Sequence, residues 1–244
     1  MKISIVTVSF NAAKTIQKTI ESVLSQTCAP YEYIIRDGAS TDDTLKIARS
    51  YSADFEKAGI AYQIISEKDE GIYDAMNKGI RAAAGEVIGL INADDWYEPC
   101  AIEKVNAAMQ DGDTDLVYGD IRMWKDETHS FIKHARNRRY MTSRDWNHPT
   151  TFITKEMYRK YTYKNETIHD DYDLILRMKK DGARFRVIHE VLANFRMNGV
   201  SHSRNLKDAC KRARIKYRIY RQNGYSPFYV IECYGVELAK LIIG

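Results

Sequence analysis

The run Val87-Ile88-Gly89-Leu90-Ile91 passes without interruption into Asn92-Ala93-Asp94-Asp95. A strand that is apolar at every successive position has no solvent face, so it belongs in the middle of a sheet covered on both sides. This confines the chain to a layered α/β architecture. It also sets two acids at the carboxyl end of a central strand, the edge where open α/β sheets bind their ligands.

The flanking pattern agrees. Ile3 to Val8, Tyr33 to Asp37 and Tyr62 to Ser66 read as three earlier strands, each followed by a helical signal. Ile16, Ile20, Val23 and Leu24 recur at i, i+4, i+7 and i+8 after the Asn11 turn, and a second helix starts in the Ser40-Thr41-Asp42-Asp43 cluster. Ile72, Ala75, Met76, Gly79, Ile80 and Ala83 line one face of a third. Leu116 to Asp120 reads as a further strand. The segment from Lys125 to Asn147 has no clear period and reads as loops with hairpin pieces. Patterning returns at Thr150 to Ile153 and in a helix from Asp171 to Asp181. From Asn205 the tail is helical, broken at Asn223-Gly224 and Ser226-Pro227 and resumed from Tyr229 to Ile243.

At 244 residues the chain can bury a full core. Nothing approaches the roughly 20 apolar residues a spanning helix needs, and Met1-Lys2-Ile3-Ser4 enters a strand directly, so a cytoplasmic protein is expected. Cys28, Cys100, Cys210 and Cys233 are too scattered for a zinc site or a disulfide framework. The net charge of +4 conceals an asymmetry: Arg204 to Arg221 holds 8 bases and one acid, leaving 29 bases and 32 acids elsewhere. Basicity is a local device, and a general nucleic-acid footprint is excluded.

Two carboxylates after an apolar strand repel unless a cation or donors compensate, and hard Mg²⁺ or Mn²⁺ takes such oxygens together with phosphate oxygens. A helix cap at Asp95, before Trp96-Tyr97-Glu98-Pro99, is the competing reading. The segments Thr7-Val8-Ser9-Phe10-Asn11, Arg36-Asp37-Gly38-Ala39-Ser40-Thr41-Asp42 and Asp69-Glu70-Gly71-Ile72-Tyr73-Asp74-Ala75-Met76-Asn77-Lys78-Gly79 end on the same sheet edge.

Together these motifs resemble family 2 glycosyltransferases of the GT-A fold, of the bacterial polysaccharide and lipopolysaccharide type, over roughly residues 1 to 200. The resemblance implies a Rossmann-like, mixed and mainly parallel sheet flanked by helices, with a C-terminal helical extension. Its expected parts are a catalytic domain at 1–203, with a nucleotide-sugar half at 1–120 and an acceptor half at 121–203, and a basic tail at 204–244. It implies inverting transfer from a nucleotide-sugar donor, a UDP-sugar in the first instance, to a hydroxyl of a glycan or polyprenyl-diphosphate-linked acceptor, with Mn²⁺ or Mg²⁺ on the diphosphate.

Carried over by position, Asp37 meets the nucleobase, with Thr7, Ser9, Asn11 and Gly38 around it; a cap for the next helix is the alternative. Asp69, Asp74 and Lys78 fall near ribose and diphosphate, Lys78 also reading as a solvated helix residue. Asn92 stands where the family has an acid, so the metal passes to Asp94 and Asp95, with Asp95 preferred. In His169-Asp170-Asp171-Tyr172-Asp173-Leu174 the general base maps to Asp171, beside Asp170, against a helix cap. His202 is a metal candidate or a loop histidine. Trp146 and His148 are acceptor contacts or, for Trp146, core.

Lys207, Lys211, Arg214 and Arg218 share a helical face, which suits an anionic membrane surface or, equally, a helix packed on the catalytic domain or a partner, a second copy included. A nucleotidyltransferase and a noncatalytic sugar-binding protein on the same fold are the rival functions; the first lacks its Gly-rich basic loop after strand one.

Overall fold

The computed structural model describes residues 1–197 and 205–243. In chain order the elements are β1 (Ile3–Ser9), α1 (Ile16–Leu24), β2 (Glu32–Asp37), α2 (Thr44–Ser50), α3 (Ser52–Lys57), β3 (Ala61–Ser66), α4 (Ile72–Ala82), β4 (Val87–Asn92), β5 (Trp96–Tyr97), α5 (Ala101–Met109), β6 (Leu116–Trp124) and β7 (Ser130–Lys133). A 3₁₀ turn at His148–Thr150 precedes β8 (Phe152–Thr154), α6 (Lys155–Lys160), α7 (Asp170–Lys180), β9 (Phe185–Arg196), α8 (Leu206–Gln222) and α9 (Tyr229–Ile243).

Among the described residues the strands form one sheet in the order β3-β2-β1-β4-β8-β6-β9-β5, with β7 paired to β6. The first four are parallel; β8 runs against both β4 and β6. β6 and β9 are parallel, and the short β5 runs against β9. This is the mixed, mainly parallel α/β architecture expected.

Strand alternation sorts the core into two layers. Val6, Val8, Ile34, Ile88 and Leu90 face α4 and α7, meeting Tyr73, Met76, Ile80 and Leu174. Ile3, Ile5, Tyr33, Ile35 and Ile91 face α1, α3 and α5, meeting Ile16, Ile20, Phe55 and Val105. Each fully buried aliphatic side chain contributes roughly 1.5–3 kcal/mol, so Ile20→Ala on α1 would cost about 2–5 kcal/mol. On the other layer α4 lies so close to β1 that a Cβ at Gly79 would run into Val6.

The segment 125–147 is loop with one hairpin piece, as its sequence suggests: β7 pairs antiparallel with the end of β6, which runs on to Trp124. β9 carries no clean alternation in sequence. Its pairing with β6 slips around Asp120, leaving His189 and Glu190 exposed between two paired stretches, and this bulge breaks the period.

The tail packs on the catalytic core. Arg212 and Lys216, both buried, reach Glu237 of α9 at 2.7 and 3.6 Å. The Tyr220 hydroxyl accepts the Ser143 N–H at 3.0 Å and lies 3.3 Å from that of Tyr172, while Asn223 Nδ2 donates to Asp173 at 3.0 Å. The four bases expected on a common face, Lys207, Lys211, Arg214 and Arg218, are all exposed. On α9, Ile231, Tyr234 and Leu238 are exposed apolar residues.

Candidate active site

Parallel register brings the strand ends together. Ser9 pairs with Asp37 and Val8 with Asn92, so β2 and β4 end on either side of β1 with their last residues about 10 Å apart, two inter-strand gaps.

The Asp37 carboxylate is buried and receives four donors: Ser9 Oγ at 3.1 Å, Ser66 Oγ at 2.8 Å, and both the N–H and the hydroxyl of Ser40. It knots the ends of β1, β2 and β3. Thr7 is fully buried, its hydroxyl accepting from Tyr33 at 2.9 Å inside the core, so it cannot line a nucleotide pocket. Asn11, at φ 49°, accepts the Thr41 N–H at 2.9 Å and gives its own N–H to Ser40, fastening the β1 loop to the β2 loop.

Gly38, directly after β2, is buried. A Cβ there would come within 2.6 Å of the Asp69 carboxylate and 3.4 Å of the Phe10 ring, and Phe10 is 66% exposed. Phe10 is a candidate that sequence reasoning left without a role, although an aromatic directly after a strand, in front of a glycine turn, is a signal for a planar ligand. Gly71, at φ 122°, opens α4, and its N–H donates to Asp69 at 2.9 Å. Asp74 accepts the Glu70 N–H at 3.0 Å and pairs with Lys78 at 2.8 Å, which also donates to the Lys68 carbonyl.

The acid turn is asymmetric. Asp95 is fully buried; one oxygen accepts the Arg196 N–H at 3.2 Å and the other, Oδ2, has no hydrogen-bond partner. Asn92 Oδ1 is likewise buried without one. Burial, and then the neighbouring Asp94 charge, push the Asp95 carboxyl well above the usual carboxylate range. Asp94 is less enclosed and is raised by burial alone, with Arg196 opposing. Of the two carboxylates Asp94 is thus the more accessible, while Asp95, the preferred candidate from sequence, keeps one buried oxygen without a hydrogen-bond partner.

No cluster of three or more His, Cys, Asp or Glu suited to a metal occurs among the described residues. The donor set nevertheless fits a hard divalent ion, since two buried oxygens lack partners beside a raised carboxylate, and Mg²⁺ characteristically needs only one or two carboxylates with substrate phosphates completing the shell. His202 lies outside the described residues.

The 163–171 loop is tied to α4: Asn77 exchanges hydrogen bonds with the Tyr163 main chain at 2.8 and 3.1 Å, and Tyr73 donates to the Ile168 carbonyl at 3.1 Å. These ties hold Asp171, at the start of α7, against the nucleotide half. Burial raises the Asp171 carboxyl, with His148 opposing; burial lowers the His148 imidazole, with Asp171 opposing. The two form a coupled, half-buried pair beside Tyr73. Asp170, by contrast, accepts from the main chains of Glu166 and Thr167 and from the Thr167 hydroxyl. It is a buried brace for the loop before α7. Trp146 is 6% exposed, packed on His148 and Tyr172, so the core reading replaces the sugar-stacking one.

A family model described as glycosyl transferase family 2 matches residues 4–181. PGL/p-HBAD biosynthesis glycosyltransferases of Mycobacterium bovis and Mycobacterium tuberculosis are 35% identical over 122 residues, 49% of this chain and 46% of theirs. Chondroitin synthase of Escherichia coli is 30% identical over 222 residues, 88% of this chain and 32% of that protein. The chain thus spans about half the length of the first relatives, or less. Among solved structures, S. aureus TarS 1-349 in complex with UDP-GlcNAc superposes with a TM-score of 0.68 at 15% identity, over 98% of this chain and 72% of that one. Mannosyltransferase PcManGT from Pyrobaculum calidifontis, in complex with GDP-Man and Mn²⁺, gives 0.70 at 16% identity, over 99% and 74%. At such identity these likenesses carry the GT-A fold alone.

Proposed function

The chain belongs to glycosyl transferase family 2, and from that premise we propose that it moves one sugar, with inversion, from a UDP-sugar to a hydroxyl of a glycan acceptor in bacterial surface polysaccharide biosynthesis. The observation that carries this reading is the pairing of a reachable, raised acid at Asp94 with a second raised acid at Asp171, held to the nucleotide half through α4.

The donor's nucleoside lies against the exposed Phe10 ring, beside Gly38 and Asp69. Asp37 shapes this wall through its serine knot. Asp94, with the orphaned oxygens of Asn92 and Asp95, would hold Mn²⁺ or Mg²⁺, which when bound would supply positive charge to the leaving diphosphate. Lys78 of α4, paired with Asp74 at 2.8 Å, offers a second charge.

In the transfer, the acceptor oxygen bonds to the anomeric carbon as the bond from that carbon to the diphosphate oxygen breaks, its electron pair departing with the nucleoside diphosphate. The hydroxyl proton goes to the Asp171 carboxylate. A desolvated carboxylate is a stronger base than one in water, which suits it to this task. His148, driven toward its neutral form by burial, leaves that basicity largely intact.

No helix among the described residues is long and apolar enough to cross a membrane. The exposed cations of α8 and the exposed apolar residues of α9 support peripheral attachment at the cytoplasmic face, where a polyprenyl-diphosphate-linked acceptor would be presented.

Incubating the chain with UDP-sugars and Mn²⁺ tests the reading. Slow donor hydrolysis that disappears in Asp94→Asn is expected; a chain that binds UDP-sugars without hydrolysing or transferring any is a binding protein, and the proposal fails.

A further inference from the structure

Behind the acid turn lies a cavity of about 390 Å³ that the transfer itself does not use. Trp96, the residue after Asp95, forms one wall, and Trp124, at the end of β6, stands 5.9 Å from it between ring centroids. Lys18 of α1 places its ammonium 3.4 Å from the centre of the Trp96 ring, and the Arg196 guanidinium lies 5.1 Å from the same ring. Asp126 and Glu127 form the opposite rim.

Two cations gathered on one indole repel each other. Burial and the Arg196 charge both depress the Lys18 ammonium, and Glu127 only partly offsets them. Neither Lys18 nor Arg196 makes an ion pair shorter than 4.0 Å among the described residues; Arg196 Nε instead donates to the Asp94 carbonyl at 3.0 Å. Asp126 does not neutralise them, because its carboxylate is bound by Thr128 and His129 within its own turn. An anion seated between the cations would relieve the repulsion, and charge-assisted bonds to Lys and Arg are about twice as strong as neutral ones.

The walls are those of a carbohydrate site. Indole faces accept the apolar face of a sugar ring, and rim carboxylates accept its hydroxyls. We infer that this cavity is a subsite for a negatively charged sugar residue of the acceptor, one bearing a carboxylate or a phosphate. The inference rests on the transferase reading for the word acceptor, and on the cavity alone for the ligand class. Through Arg196, which touches both the cavity and the acid turn, a bound anion would also steady the Asp94 main chain.

The test is a titration of the intact chain, without donor or metal, followed by tryptophan fluorescence. Glucuronic acid and glucose 6-phosphate are the two charged probes, with glucose, inorganic phosphate and UDP as controls. At least one charged sugar should bind about tenfold more tightly than glucose and than inorganic phosphate, and whichever does so names the source of the charge. Lys18→Ala and Trp124→Phe, both at the cavity surface, should each weaken that binding about tenfold. Glucose or inorganic phosphate binding as well as the charged sugars, displacement of the charged sugar by UDP, or unchanged affinity in Lys18→Ala would each overturn the subsite. Donor hydrolysis is read on the same preparation, so failure of the transferase reading appears as absent hydrolysis and leaves the binding result standing.

Discussion

The Arg196 main-chain N–H donates to the Asp95 carboxylate at 3.2 Å while its Nε donates to the Asp94 carbonyl at 3.0 Å, so a single residue at the end of β9 holds both acids of the turn. Asp95 owes its placement to this grip, yet its second oxygen stays buried without a hydrogen-bond partner.

The first prediction follows. The folded-state pKa of Asp95 is raised, so its contribution to stability is complete below the unfolded-state value and is lost as pH rises through the folded one. Above the unfolded-state value this buried carboxyl burdens the fold, so at neutral pH Asp95→Asn should unfold a few degrees above wild type in metal-free buffer, each kcal/mol relieved being worth about 2–4 °C. The gain should vanish on acidification. Thermal unfolding at several pH values checks this, and a lower midpoint at neutral pH would contradict it.

Asp171→Asn keeps the shape of this half-buried site and removes the proton acceptor. Turnover should fall by about 10²–10⁴-fold with UDP affinity nearly unchanged. Steady-state transfer with a parallel UDP titration separates the two quantities; wild-type turnover would remove Asp171 from the role.

The same carboxyl sets the acid side of the pH profile. It must be deprotonated to act, and burial raises it above the ordinary aspartate value, so activity should fall with acidification at a higher pH than an exposed aspartate would give. His148 opposes that rise, so in His148→Asn the acid limb should move further up. A kcat/KM profile of both proteins decides it.

Asp37→Ala would leave the donors of Ser9, Ser40 and Ser66 without their shared acceptor in a buried place. A loss on the order of 3 kcal/mol is expected, equivalent to roughly 6–12 °C. An unfolding midpoint within a degree of wild type would show that the serine knot does not stabilise the strand ends.

What the sequence disclosed follows from where its information is local. The apolar run before Asn92 has no reading except a central strand, and the motif residues around Gly38, Gly71 and Asp94 are tied to turns that only those residue types make. Sequence leaves Trp146 open between two readings and places Thr7 in the wrong surroundings for a different reason. A residue next to a motif in sequence can point to either face of its strand or loop, and only packing decides; Tyr33 claims the Thr7 hydroxyl from an adjacent strand, and Tyr172 covers Trp146 from α7. β9 was hidden by its bulge at His189 and Glu190. The Lys18, Trp96, Trp124 and Arg196 group joins four separate elements, which no spacing rule connects.

The tail supplies the last prediction. Its two helices expose different chemistry: α8 shows Lys207, Lys211, Arg214 and Arg218 to solvent, while Phe228, Ile231, Tyr234 and Leu238 stand exposed before and along α9. Arg212 and Lys216 are engaged with Glu237 and hold the pair together, so the outward cations remain for anionic headgroups. The full chain should cosediment with phosphatidylglycerol vesicles and not with phosphatidylcholine ones, and high salt should weaken the binding, because a surface potential is screened within about 10 Å at 0.1 M. Replacing Phe228 and Ile231 by serine should weaken it at every salt concentration, since that change removes insertion and spares the charge. If binding to both vesicle types is equally absent, the exposed faces of α8 and α9 serve a protein partner and the membrane reading is wrong.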